Sequence, residues 1–228
     1  FPLELTIEIA EESGFTVDSE GFQVEMKAQQ DRARAARGER ESMASQKIDL
    51  MDFTTPSTFV YDTAPCKTTV IGLFKDGEKV DELSDEGEII VETTNFYAEM
   101  GGQVADRGVV INAAGEVVAE VVDVQNAPNG QHLHTLNVNA EIKAGETYKL
   151  EVNRAYHAAV SKNHTATHML DQALRNILGE HTTQAGSLVT EDGLRYDFTY
   201  NGAVSAEKLQ EIEDLINENI IENLPISW

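Results

Sequence analysis

Between about Thr54 and Arg154 the chain carries eight short segments rich in valine, isoleucine, threonine and tyrosine, with turns between them and no helical pattern in any gap. They run from Thr58 to Asp62, Lys67 to Lys75, Val80 to Leu83, Glu88 to Thr94, Val104 to Ile111, Glu116 to Val124, Gln131 to Val138 and Thr147 to Val152. A parallel βαβ arrangement needs a crossover of a dozen or more residues between strands, and none is present. Strands so closely spaced favour a small antiparallel barrel or sandwich. Asp76-Gly77 is a hairpin signal, and Asn112 to Gly115 reads as a longer turn.

The flanks change period. Over 1–53 the pattern is helical: Pro2 suits a first turn, Leu5 and Ile9 mark one face, and Gly14 is placed to end the helix. A second helix is expected from an Asp18 cap, carrying Phe22, Met26, Ala33 and Ala36 on a thin apolar face. Over 54–154 lies the strand-rich region. Over 155–228 a helix is expected from about Lys162 to Leu178, ended by Gly179, then strands at Gly186 to Thr190 and Leu194 to Thr199. A last helix follows from a Ser205 cap to about Asn223, with Leu209, Ile212, Leu215, Ile216 and Ile220 as its stripe. The fold class expected is α+β: N-terminal helices, a small antiparallel β-barrel, then a helix, hairpin, helix module.

A composition of 41% hydrophobic and 25% charged residues is globular usage, which excludes a disordered or collagen-like chain. The net charge of −23 repels nucleic acid in bulk, so any nucleic-acid contact has to be local. The dense basic stretch is Lys27, Arg32, Arg34, Arg37 and Arg40, interleaved with acids; it suits a salt-bridged solvated helix or a phosphate contact. A single cysteine, Cys66, leaves no intrachain disulfide and fits a reducing, cytoplasmic setting. No apolar run approaches twenty residues, so no membrane partner is expected. Phe1 in place of an initiating methionine, and a last stretch that reads like the start of another element, suggest a piece of a longer protein.

Three constellations can carry chemistry. In Asn163-His164-Thr165-Ala166-Thr167-His168 the histidines stand at i and i+4, one turn apart on one helix face, where two imidazoles can share a zinc ion or form a plain solvent-facing pair. Thr165 follows the first histidine where a zinc peptidase would place its glutamate, which disfavours that class. Two ligands are too few for a stable site, and His132, His134 or Cys66 are conceivable recruits. His157 and His181 carry no local signature. In Phe96 to Gln103 the adjacent Gly101 and Gly102 permit a tight bend whose N–H groups can face a phosphate or an oxyanion, and Gln103 can orient a substrate or a water. In Thr183 to Leu188, Gln184 leads into a strand that can return toward the histidines.

Taken together, Asn95 to Gln103, Asn163 to Leu170 and Gly179 to Val189 resemble the alanyl-tRNA synthetases in sequence, order and spacing. The resemblance covers essentially the whole chain. It implies the end of the helical tRNA-recognition region, the barrel of the editing module and the first part of its zinc-dependent α/β module. That module hydrolyses alanine-specific tRNA mischarged with serine or glycine. By the family pattern His164 and His168 are two zinc ligands, and a Cys-x-x-x-His segment well downstream supplies the others. Gln184 then matches a glutamine of the editing pocket, Thr167 a threonine that discriminates the amino acid, and Gly101-Gly102-Gln103 a loop near the site. Met100 stands where serine is usual. ATP is expected only in the aminoacylation domain, outside this chain, and the expected partners are alanine-specific tRNA and the remainder of the synthetase. A free-standing trans-editing hydrolase and a non-catalytic tRNA-contact module are the competing readings.

Overall fold

A computed structural model describes residues 48–223 and Pro225, together with Ile7, Ala10 and residues 13–19, 21–24 and 26–28. The chain divides into two compact units, Phe1–Gln46 and Lys47–Trp228. In the first, Gly14 takes a φ of 78° and Phe15 N–H reaches back to Ala10 C=O at 2.8 Å, the closing bond of a Schellman-type end. Asp18 caps the next helix: its carboxylate accepts from Gly21 N–H at 2.8 Å. Leu5, Ile9, Ala33, Ala36 and the basic positions from Arg32 to Arg40 lie outside the described residues.

The second unit opens with a short helix, α1 (Ile48–Asp52), and then the strands β1 (Cys66–Lys75), β2 (Gly87–Val91), β3 (Gly108–Ile111), β4 (Val117–Asn126), β5 (His132–Val138) and β6 (Thr147–Val152). Every neighbouring pair is antiparallel, in the order β6, β3, β4, β5, β2, β1, and β1 pairs back to β6 through Thr69 with Thr147 and Cys66 with Leu150. The sheet is therefore a closed six-stranded barrel, which removes free edges. Alternation fills it: Leu73, Ile89, Val91, Leu136 and Leu150 are buried inside with Phe96. Leu50 and Phe53 close a second cluster with Phe74 and Ile90, the rings of Phe53 and Phe74 meeting edge to face at 5.4 Å. Asp76 and Gly77, at φ of 51° and 75°, form the expected hairpin turn.

Two differences from the sequence reading matter for the site. The expected strand from Val104 to Ile111 begins only at Gly108, because Val104 N–H bonds Val189 C=O and Asp106 bonds Tyr97, so this backbone is committed elsewhere. The histidine helix, α2, runs from Arg154 to Leu178 and starts eight residues earlier than read, capped by Asn153, whose side chain accepts from Tyr156 N–H. The alanine-rich first turns suit a helix as soon as that cap is supplied. A hairpin of β7 (Gln184–Val189) and β8 (Leu194–Phe198) and a helix α3 (Ala206–Glu222) complete the unit, and Leu174, Leu178 and Ile212 join α2 to α3. Ser205 caps α3 as expected, and Asn223 ends it in the left-handed region. Among the described residues no helix is long and apolar enough to cross a membrane.

Candidate functional site

The segment from Tyr97 to Asp106 is a small hairpin built for close approach. Tyr97 N–H donates to Asp106 Oδ2 at 3.0 Å and Asp106 N–H to Tyr97 C=O at 2.9 Å, closing its base. Met100 and Gln103 exchange both backbone bonds, and Gly101 and Gly102 between them sit at φ of 63° and 83°, the positive values that a type I′ turn demands. Gly102 also has no room for a side chain, since a Cβ there would stand 2.6 Å from Ser187 C=O. That closeness lets Val189 N–H reach Gly102 C=O at 2.8 Å, so the hairpin is fastened to β7.

The docked hairpin delivers Gln103, itself buried, to α2. His164 Nδ1–H donates to Gln103 Oε1 at 2.5 Å. This fixes the tautomer and leaves the His164 Nε2 lone pair free, the arrangement in which a histidine binds a metal. That lone pair faces His168: the two Nε2 atoms are 3.1 Å apart and the rings stack at 5.0 Å between centroids. In a tetrahedral zinc site with bonds of about 2.0–2.1 Å, two nitrogens stand a little over 3 Å apart, so the pair fits half of such a site. Partial burial and the neighbouring His168 hold His164 below the ordinary histidine pKa, which keeps it neutral and able to ligate.

The other expected site residues are placed as follows. Thr167 is buried one position from His168, with its hydroxyl donating to Asn163 C=O at 2.8 Å. Asn163 ties the helix to the β7–β8 turn through Thr190 C=O at 2.8 Å. Gln184 is exposed at the start of β7 and donates to Ser187 Oγ at 3.0 Å; Ser187 is the residue against which Gly102 packs. Among the described residues no hydrogen bond joins Gln184 or Thr167 to either histidine.

The conceivable recruits are engaged elsewhere. His134 is fully buried in the barrel, where Nδ1–H donates to Ile89 C=O at 3.2 Å and Nε2 accepts from the Thr94 hydroxyl at 2.7 Å. His132 Nδ1–H donates to Phe96 C=O at 2.9 Å. The Cys66 thiol stands 3.7 Å from Thr93 C=O, and burial pushes its pKa up. No group of three or more histidine, cysteine or acidic side chains able to hold a metal is found among the described residues.

Residues 1–156 match the family described as tRNA synthetases class II (A). The chain belongs to that family. Its relatives include the alanine–tRNA ligase of Lactiplantibacillus plantarum, 53% identical over 230 residues that cover 100% of this chain and 26% of that protein. It is likewise 52% identical over 229 residues to the alanine–tRNA ligase of Ligilactobacillus salivarius, covering 99% of this chain and 26% of the relative. For the Streptococcus agalactiae alanine–tRNA ligase the identity is 51%, with 100% and 26% covered. This class II synthetase chain thus spans about a quarter of the length of the curated relatives it matches.

Two further functional-looking residues, Asp106 and His157, are not evident from the sequence alone. His157 Nδ1–H donates to Asp106 at 2.8 Å, and Asp106 is almost fully buried; this hydrogen bond raises the His157 pKa. His157 stands seven residues before His164, so both lie on one helix face about 10 Å apart. The extended run from Gln103 to Asp106 covers about the same distance, which is why one loop can engage both imidazoles. The spacing His157, His164, His168 was the available signal, hidden because the helix was expected to begin after His157.

Proposed function

We propose that this chain carries part of the editing centre of an alanine–tRNA ligase, a cytoplasmic enzyme whose editing domain hydrolyses alanine-specific tRNA mischarged with serine or glycine. The observation that carries this reading is the convergence of the His164 and His168 Nε2 atoms, with Gln103 holding His164 in the ligating tautomer. The similarity to alanine–tRNA ligases over the whole chain supports the same assignment.

An aminoacyl ester is an activated carbonyl. Its hydrolysis needs a positioned water, stabilisation of the tetrahedral oxyanion, and a proton for the ribose oxygen that leaves. His164 and His168 would hold a zinc ion, which when bound supplies Lewis-acid chemistry or an anchor for the substrate's amino and hydroxyl groups. Gln103 orients His164 from behind. In this reading Gln184, exposed at the start of β7, and Thr167, next to His168 in the chain, would be polar contacts for the substrate's side chain and reacting ester. A second site is physically reasonable because a pocket shaped for alanine excludes glycine and serine by steric fit only weakly.

The described residues bring two histidines together and offer no third candidate ligand beside them, and a stable zinc site needs three or four. The remaining ligands are therefore assigned to the part of the relatives' length that these residues do not span, and the 228-residue chain alone is expected to hydrolyse little. The test compares Ser-tRNA hydrolysis and zinc affinity for this chain and for a chain extended through the rest of the editing region. Tight one-to-one zinc and hydrolysis in the longer chain, both lost on His168→Ala, are expected. Robust hydrolysis by the short chain would overturn the split site and favour a self-contained trans-editing hydrolase. Absence of hydrolysis from both would leave a tRNA-contact module and overturn the editing assignment.

A further inference from the structure

The hairpin from Tyr97 to Asp106 carries Gln103 between two other points of attachment. On one side, among the described residues, its backbone bonds to β7 both go to Val189, whose N–H reaches Gly102 C=O at 2.8 Å and whose C=O accepts from Val104 N–H at 3.1 Å. Contacts gathered at one residue fix a depth but act as a pivot, so they leave open the tilt of the loop toward α2. A contact away from the pivot is needed to set that tilt. Asp106 supplies one, to His157.

Asp106 is 2% exposed, and a carboxylate so deeply placed depends on donors at its oxygens. Tyr97 N–H donates to Oδ2 at 3.0 Å from within the hairpin, whereas His157 Nδ1–H donates to Oδ1 at 2.8 Å from α2. The second bond therefore ties hairpin to helix. Its loss would leave the carboxylate short of a donor beside a cavity of about 250 Å³ that Asp106 and His157 line together with Tyr97. The carboxylate can turn into that space toward water, and the loop turns with it. The Val189 contacts, and the bond from Asn153 N–H to Arg107 C=O at 2.8 Å, do not involve His157, so the fold survives the change.

The extended step from Gln103 to Asp106 and the helical step from His164 to His157 each cover about 10 Å, so the loop lies along α2 with an imidazole at either end. A tilt at Asp106 is thereby delivered to Gln103. The Gln103 bond in turn decides which nitrogen of His164 carries the proton. While Oε1 accepts from Nδ1–H the Nε2 lone pair stays free; without that bond the proton can move to Nε2, where it stands against His168. We propose that His157 is a positioning residue for the histidine pair: by holding Asp106 it keeps Gln103 against His164 Nδ1, and so keeps the His164 Nε2 lone pair turned toward His168. What the pair holds rests on the editing assignment, but the positioning role is read without metal or tRNA.

The experiment reads the two tautomers of His164 in the metal-free 228-residue chain by long-range proton–nitrogen NMR correlation of its imidazole. The wild type is expected to hold the proton on Nδ1, and Gln103→Ala to release it. His157→Ala should lower the ratio of the Nδ1–H to the Nε2–H form by at least about fivefold, the scale of one weakened hydrogen bond, although residue 157 does not touch His164. His157→Arg, whose guanidinium again donates to the Asp106 carboxylate, should restore the ratio. An unchanged ratio in His157→Ala, whatever its unfolding temperature, would make the pair a clamp of the fold alone and overturn the proposal, as would failure of His157→Arg to restore it. Should His157→Ala not fold, the double variant with Asp106→Ala, which leaves no buried charge unpaired, carries the same comparison: a fallen ratio supports the role and an unchanged one overturns it. Editing by a longer chain with His164 indifferent to residue 157 would sink the positioning role and leave the editing reading standing. A His157-dependent tautomer with no hydrolysis by the longer chain would do the opposite.

Discussion

His134 makes the stability of the barrel depend on acid in a way that can be worked out from its surroundings. Its two ring nitrogens are both used: one donates to Ile89 C=O, the other accepts from the Thr94 hydroxyl, and Thr94 Oγ1 in turn accepts from Phe96 N–H at 3.1 Å. Protonation would put a second donor against that hydroxyl in a site without water contact, and burial pushes the pKa from 6.5 down to about 4. Between these values the unfolded chain binds a proton that the folded chain refuses, so stability falls as the pH falls from about 6.5 toward about 4 and levels off below. The slope approaches about 1.4 kcal/mol per pH unit, which gives a loss of about 2 kcal/mol between pH ~7 and ~5 and about 3 kcal/mol in all. His134→Gln can still donate and accept but does not titrate. Other histidines and carboxylates titrate alike in both proteins and cancel in the difference; His157, whose raised pKa acts in the opposite sense, is among them. Urea unfolding of both proteins at pH 7, 6 and 5 should show the wild type losing about 2 kcal/mol more than the variant. Parallel curves, or an NMR titration placing His134 near 6.5, would refute the reasoning.

Further outcomes follow from the same geometry. Gly102→Ala should destabilise the chain markedly more than Gly101→Ala: both incur the ~1–2 kcal/mol cost of left-handed backbone, but only Gly102 also meets Ser187, and thermal unfolding of the two variants compares them. Gln103→Ala should weaken zinc binding by the extended chain about 10- to 100-fold with little change in fold, read by competition with a chelating dye. Asp106→Asn replaces the charged acceptor that raises His157 with a neutral one and should lower its pKa toward the ordinary histidine value, visible in the imidazole proton shifts. Leu136→Ala, at a site with no exposure, should cost about 2–5 kcal/mol in urea unfolding.

What the sequence disclosed and what it withheld divide along the length of chain between the interacting groups. Strand alternation is local, so the segments that became β1, β4, β5 and β6 could be read directly, as could the Asp76-Gly77 turn and the Ser205 cap. Barrel closure was expected and is found, but alternation alone does not carry it, because closure pairs residues 66–69 with residues 147–150 and a sandwich would have used the same alternation. The two-residue strands Glu78–Lys79 and Ile142–Lys143 are too short to carry a period.

The candidate site follows the same division. His164 and His168 are one helical turn apart and stand out in the sequence, whereas Gln103 meets His164 across 61 residues and Asp106 meets His157 across 51. Those two contacts depend on one another. Both belong to a single loop laid along a single helix face, and the loop can lie there only because Gly102 lets its backbone touch β7 while the Tyr97–Asp106 pair closes its base. The glycine pair, read in the sequence as a bend with N–H groups available to a substrate, therefore acts first as a spacer. It sets the loop at the depth from which Gln103 fixes one imidazole and Asp106 the other, so that a change at Gly102 should be felt at both histidines at once.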